Sequence, residues 1–198
     1  MTARAGRRSI ARSDRAPFHN KTAEREDRMP ARLGAAIAAS LLLLLSPTLA
    51  DPSGDPAAVS STDGEYSDKQ GNPTFHIDKD GTVDWYTSVG YIRYTANCMQ
   101  CHGPDGLGST FAPSLVDALQ NLSYSQFLDT VTNGKKNVSA SQDLVMPAFG
   151  VNPNVMCYID AIFIYLRARS DGALGRGQPA KNAPKPAGYS ATEDACMG

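Results

Sequence analysis

Hydrophobic positions recur at helical spacing in two places along the chain. Tyr124, Phe127, Leu128 and Val131 predict a helix that starts near Ser123 and stops at Gly134. Its opening, Ser123-Tyr124-Ser125-Gln126, has the form of a capping box, and Leu122 and Phe127 flank it as a hydrophobic staple would. Val155, Ile159, Ile162 and Leu166 make one apolar face of a last helix, with Tyr158 and Tyr165 on a neighbouring face. Asn152 caps that helix, Pro153 takes its first position, Arg167 and Arg169 fall in its last turn, and Gly172 lies just beyond. A third helix is expected over 87–102. After it comes a loop rich in turn residues: Gly103, Gly106, Gly108 and Pro113.

Alternating residues are confined to one place. Phe75-His76-Ile77 and Thr82-Val83-Asp84-Trp85 flank Asp78-Lys79-Asp80-Gly81 and read as a short β-hairpin. Asp78, Asp80 and Asp84 lack the spacing of an EF-hand, so a solvated turn is expected rather than a calcium loop. Residues 51–72 are Asp, Ser, Gly and Pro with almost no large apolar residue, and are expected to form a flexible acidic arm. Residues 173–198 are rich in Gly, Pro and Ala, hold no core of their own and would drape over the surface. The organisation expected is a leader over 1–50, the arm over 51–72, one mostly α domain over 73–172 and a long C-terminal tail.

Charge separates the leader from the rest. Residues 1–50 hold nine Lys/Arg against four Asp/Glu, whereas residues 51–198 hold ten against sixteen. Arg32 precedes an apolar run from Leu33 to Leu45, and Ser46-Pro47-Thr48-Leu49-Ala50 follows it. A basic region, an apolar region and small residues at a cleavage site make a signal peptide, with cleavage expected after Ala50. The run falls short of the roughly 20 apolar residues of a membrane span, so no stable membrane anchor is expected. A start at Met29 would give a signal peptide of ordinary length, and Arg7-Arg8 lies far from the apolar run for a twin-arginine signal. The working protein is then expected in an oxidising, periplasmic compartment. Its net acidic charge does not suit a nucleic-acid partner. Within it, residues 51–84 carry eight acids and two lysines, which suits either steering toward a basic partner or solubility alone.

The chemistry is concentrated in Cys98-Met99-Gln100-Cys101-His102, the attachment signature for c-type haem. On a tightening helix end, residues i and i+3 place two sulfurs over one edge of a planar ring, and residue i+4 brings an imidazole under the iron. Zinc would need Cys157 and Cys196 as further ligands, yet these are single cysteines far apart. A thioredoxin-like dithiol should follow a strand in a βαβ pattern, which is absent. One covalent haem c is therefore expected, with His102 as one axial ligand. For the other, Met99 lies inside the motif, Met156 sits on the last helix and Met197 lies in the tail. Met146, followed by Pro147 and flanked by Val145, Ala148 and Phe149 in a segment without regular structure, is the first candidate, and His76 is the alternative.

Gly90, Tyr94, Cys98, Cys101, His102, Pro113, Leu115 and Met146 stand as they do in class I cytochromes c, and the chain resembles that family over about residues 87–170. The resemblance implies a mostly α class I cytochrome c fold around one haem, here with the small N-terminal β-hairpin added. It also implies that Gly90 and Tyr94 pack against Tyr165, and that the Pro113 carbonyl accepts the Nδ1 proton of His102. A narrower resemblance rests on the run from Asp84-Trp85-Tyr86-Thr87 to Ala112-Pro113-Ser114-Leu115, on Val145-Met146-Pro147, on the stretch from Asn152 to Cys157 and on that from Ala168 to Gly177. These segments are similar to the four-cysteine cytochromes of methanol metabolism, relatives of cytochrome cL. That branch implies a disulfide between Cys157 and Cys196. It also implies a donor, a pyrroloquinoline-quinone (PQQ) methanol dehydrogenase of the lanthanide-dependent type, and a downstream cytochrome c or terminal oxidase. With both axial positions filled, the expected role is one-electron shuttling rather than enzymatic chemistry; service to some other oxidoreductase is the alternative.

Overall fold

The computed structural model describes residues 56–138 and 143–198. The expected leader, its cleavage after Ala50 and the alternative start at Met29 lie outside the described residues. No helix among the described residues is long and apolar enough to cross a membrane.

Two helices build the centre. Helix α1 spans Trp85–Asn97, and its start is set by Asp84, whose carboxylate accepts from the Thr87 N–H (2.7 Å) and the Thr87 hydroxyl (2.6 Å). That cap draws Trp85 and Tyr86 into the helix. The hairpin expected over 75–85 is accordingly reduced to one antiparallel bridge between Ile77 and Val83, closed by the turn at 78–82. The last helix of the domain is broken in two, as Pro153–Met156 and Ile159–Ser170, with Cys157 and Tyr158 at the break. Between α1 and this pair come α2 (Met99–His102), a 3-10 turn (Pro104–Gly106), α3 (Leu115–Ala118) and α4 (Tyr124–Asn133), so the broken pair are α5 and α6. Asn152 caps α5 and Pro153 opens it, as the sequence leads one to expect.

Helix α6 is buried nearly all round, and the core forms on it: Ile162, Phe163, Tyr165 and Leu166 meet Tyr94 of α1, Leu119, and Phe127 and Val131 of α4. Helices α1 and α6 touch backbone to backbone. A Cβ on Gly90 would lie 1.9 Å from the Ala161 carbonyl oxygen and 2.9 Å from Tyr165 Cβ, so only glycine permits the approach. Beside that glycine, the rings of Tyr94 and Tyr165 are 5.5 Å apart. The capping box of α4 is complete, with Ser123 and Gln126 each satisfying the other's backbone N–H, and Gly134 ends the helix at φ 72°.

The ends of the chain depart from expectation. From residue 56 the segment read as a flexible arm forms β1 (Ser60–Thr62) and β2 (Glu65–Ser67), which join β3 (Pro73–Thr74) in an antiparallel sheet of order β1-β2-β3. Asp63 and Gly64 supply the two positive-φ residues of its first turn. The segment is fixed because Asp68 is buried against Arg167 of α6 (2.9 Å) and the Thr74 hydroxyl donates to the Pro56 carbonyl (2.7 Å). The tail is also structured: Asn182 bridges Val83, and residues Tyr189–Met197 form helix α7. Cys196 of α7 is disulfide-bonded to Cys157 at the α5–α6 break, with Cα atoms 5.8 Å apart. Tyr189 packs with Tyr86, Tyr158, Ala161 and Ile164 in a second, smaller core. Beyond α4, strands β4 (Lys135–Val138) and β5 (Asp143–Met146) form an antiparallel pair in which Lys135 faces Met146.

Candidate haem site

Helix α1 delivers the attachment motif directly. Cys98 closes α1 through its N–H to the Tyr94 carbonyl (2.8 Å), and the His102 N–H returns to the Cys98 carbonyl (2.9 Å). Cys98, Cys101 and His102 therefore share one continuous helical path, with Cys98 half-buried, Cys101 exposed and His102 buried. Both thiols are free, whereas the other two cysteines are consumed by their disulfide. That pairing removes the further ligands zinc would need, and among the described residues no cluster of three metal-ligating side chains occurs.

The loop after the motif folds back to hold the imidazole. His102 Nδ1 lies 3.0 Å from the Pro113 carbonyl oxygen. A proton on Nδ1 is donated to that carbonyl, which fixes the ring and leaves Nε2 as the free donor atom. Loop closure depends on glycine. At φ 72°, a Cβ on Gly103 would fall 2.1 Å from the Gly108 carbonyl oxygen, and the Gly108 N–H donates to the His102 carbonyl (2.7 Å). The Tyr94 hydroxyl donates to the Gly103 carbonyl (2.5 Å) and the Ser109 hydroxyl to the Cys101 carbonyl. Two free thiols and an imidazole with one nitrogen already engaged are the donor set that a covalently attached haem requires, so the residues present fit the group.

Met146 is the last residue of β5 rather than part of an irregular segment. Pairing with Lys135 makes it a strand residue, and its half-buried side chain packs against the main core. What fixes its backbone is the end of α4: a Cβ on Gly134 would lie 2.6 Å from the Met146 carbonyl oxygen, and Phe149 and Gly150 donate their N–H groups to Val131 and Thr132 (2.9 and 3.1 Å). The competing donors are placed differently. Met99 and Met156 pack against the same core, and Met197 lies in α7. The His76 ring stacks on Tyr66, with centroids 4.6 Å apart, and its Nε2 lies 3.1 Å from Asp78.

Sequence reasoning missed two supports of this site. Gly134 carried a signal, as a glycine ending a helix, but nothing in the sequence linked it to Met146. Asp105 carried none; its role depends on Arg169, Arg176 and Gly177, which lie far along the chain.

Comparison with known proteins places the chain among haem proteins. Residues 87–166 match the family described as cytochrome C oxidase, cbb3-type, subunit III. The chain is 48% identical to cytochrome c-553I of Paracoccus denitrificans over 134 residues, 68% of this chain but only 59% of that relative's length. It is 36% identical to cytochrome c-555 of Methylococcus capsulatus over 97 residues, 48% of this chain and 72% of that one. The crystal structure of the c-type cytochrome XoxG from Methylobacterium extorquens is similar at a TM-score of 0.66 and 49% identity, covering 71% of this chain and 86% of that one. The chain belongs to the c-type cytochromes, the family whose members carry haem c bound covalently.

Proposed function

We propose that this cytochrome is a periplasmic one-electron carrier, with haem attached through Cys98 and Cys101 and with His102 and Met146 as axial ligands. The observation that carries this proposal is the His102–Pro113 contact beside two free thiols on one helical path. When bound, the haem supplies reversible one-electron exchange between ferric and ferrous iron. Cys98 and Cys101 hold it in place, Pro113 orients His102, and the β4–β5 pair with Gly134 presents Met146. A thioether opposite an imidazole favours the ferrous state and raises the potential, which suits accepting electrons from a reduced quinone cofactor. His102 and Met146 would hold the group between them and leave no position for oxygen or peroxide, so the role is electron transfer and not enzymatic turnover.

The donor we infer is a PQQ-dependent methanol dehydrogenase of the lanthanide type, and the acceptor a second cytochrome c or a terminal oxidase. The sequence resemblance to the methanol-metabolism cytochromes supports that pairing. The apolar side chains of Phe111 and Leu107, exposed on the loop beyond the attachment motif, suit close approach of a partner. Export with cleavage after Ala50 follows from the leader, and the Cys157–Cys196 disulfide suits an oxidising compartment. The test is to mix oxidised protein with methanol-reduced dehydrogenase and follow the haem absorption. Reduction at the rate of dehydrogenase turnover is expected. No reduction would leave a carrier serving another oxidoreductase.

A further inference from the structure

We propose that Asp105 is a positioning residue for His102, acting as a latch between the haem-binding loop and the C-terminal segment 174–177. The inference rests on His102 being the axial ligand proposed above. Asp105 lies three residues after His102, in the 3-10 turn, at φ 60°; among the described residues only it and Asp63 adopt positive φ without being glycine. Its side chain is 9% exposed, and among the described residues the donors to its carboxylate come from the tail. The Gly177 N–H donates to Oδ1 (2.9 Å) and Arg176 Nε to Oδ2 (2.9 Å). Arg169 Nε reaches the Asp105 carbonyl (3.4 Å), while its Nη1 donates to the Leu174 carbonyl (2.5 Å).

Such convergence is more than an exposed turn needs, and it falls where the loop must be held. The Gly106 carbonyl, next in the turn, accepts from the Ser114 hydroxyl (3.4 Å), and Ser114 adjoins Pro113. On the other side, the Gly108 N–H is bonded to the His102 carbonyl (2.7 Å). The turn is therefore bonded to Ser114, the residue after Pro113, and the loop just beyond it to His102, while Asp105 ties the turn to the tail. Loosening the latch frees Pro113 to drift from Nδ1. Imidazole that loses this bond is a poorer donor and stabilises ferric iron less, so the reduction potential rises.

Charge alone predicts a different pattern, which makes the idea decidable. Asp105→Asn removes a negative charge and loosens the latch, and both effects raise the potential. Arg176→Leu removes a positive charge, which by charge alone lowers the potential, whereas a loosened latch raises it. The Arg176 side chain is 69% exposed, so this variant keeps the fold. The experiment is to measure, on purified haem-loaded wild type and both variants, the reduction potential and the exchange rate of the His102 Nδ1 proton by NMR. Lys185→Ala serves as control, because it breaks the Lys185–Glu193 pair in the same tail away from the loop. Expected are an upward shift in potential and several-fold faster Nδ1 exchange in both test variants, with the control at wild-type values. A potential in Arg176→Leu that is unchanged or lower, or Nδ1 exchange at the wild-type rate, would overturn the proposal. Should Arg176→Leu lose its haem, Nδ1 exchange in Asp105→Asn alone decides it. A wild-type spectrum without an iron-bound His102 would instead sink the ligand assignment.

Discussion

Asp68 and Arg167 meet at 2.9 Å with side chains that are 0% and 1% exposed, joining the N-terminal sheet to the central helix α6. Asp68 also accepts the N–H groups of Gln70 and Asn72, both at 2.9 Å, and Arg167 donates to the Pro73 carbonyl (3.3 Å). Breaking one partner of such a pair leaves the other charge buried and under-compensated. Asp68→Ala is therefore expected to destabilise the fold by about 3–5 kcal/mol, measured by urea unfolding. A loss under about 1 kcal/mol would mean that the ion pair is not sealed as described.

The same pair sets a limit at low pH. Burial alone would raise the Asp68 carboxyl, but the hydrogen bonds from Arg167 and Asn72 outweigh it and hold the group below its ordinary 3.8. Its contribution to stability is thus complete above the unfolded value and is lost as pH falls through the lower folded value. Acid unfolding of wild type should be steeper below about pH 4 than that of Asp68→Ala.

Glu65 has the opposite sign. It lines a cavity of about 430 Å³ together with Asp63, Asp160, Tyr86, Tyr158 and Tyr189. Burial first, then the charges of Asp160 and Asp84, pushes its carboxyl from 4.5 up to about 7. Folding therefore favours the protonated form: this contribution is complete below pH 4.5 and is lost as pH rises through about 7. Glu65→Gln should be more stable than wild type at pH 8, by on the order of 1 kcal/mol after allowance for its partial exposure, and equal to it at pH 4. Identical pH profiles for the two proteins would contradict the shift.

How much of this was legible in the sequence follows from where the determinants lie. The capping box at Ser123 and the Asn152-Pro153 helix start are local signals, while the Gly90–Tyr94–Tyr165 contact was implied by the resemblance to class I cytochromes c, and the structure contains all three. The attachment motif was legible as a local signal too: its spacing is its geometry. The arm at 56–72 was misread because its order comes from Arg167, about a hundred residues away, rather than from apolar residues of its own. Helix α7 was missed because the disulfide and Tyr189 hold it, not the propensity of a Gly/Pro/Ala-rich tail. The break at Cys157–Tyr158 interrupts an apolar face whose periodicity runs straight across it.

The disulfide closes a loop with a sequence separation of 39. Reducing it should cost roughly 3–4 kcal/mol by the loop-entropy relation, seen as a lower unfolding temperature in the presence of reductant. The haem absorption bands should not move, because Cys98 and Cys101 are not part of that bond. A change in the bands on reduction at constant iron oxidation state would tie α7 to the haem.

Gly134 links helix α4 to Met146. With φ 72° and the Met146 carbonyl oxygen 2.6 Å from any added Cβ, Gly134→Ala must displace the strand end that carries Met146. About 1–3 kcal/mol of destabilisation is expected, with weaker thioether coordination as its spectroscopic companion. Full wild-type coordination in this variant would show that Gly134 does not fix Met146.

The central claim is that His102 and Met146 close both faces of the iron and so make the protein a carrier. Its most direct test is the ferric spectrum of Met146→Ala beside wild type. Wild type is expected to be six-coordinate and low-spin with a thioether ligand, and the variant to become high-spin and to bind added imidazole or cyanide readily. A variant that keeps the wild-type low-spin thioether spectrum would place the sixth ligand elsewhere and contradict the claim.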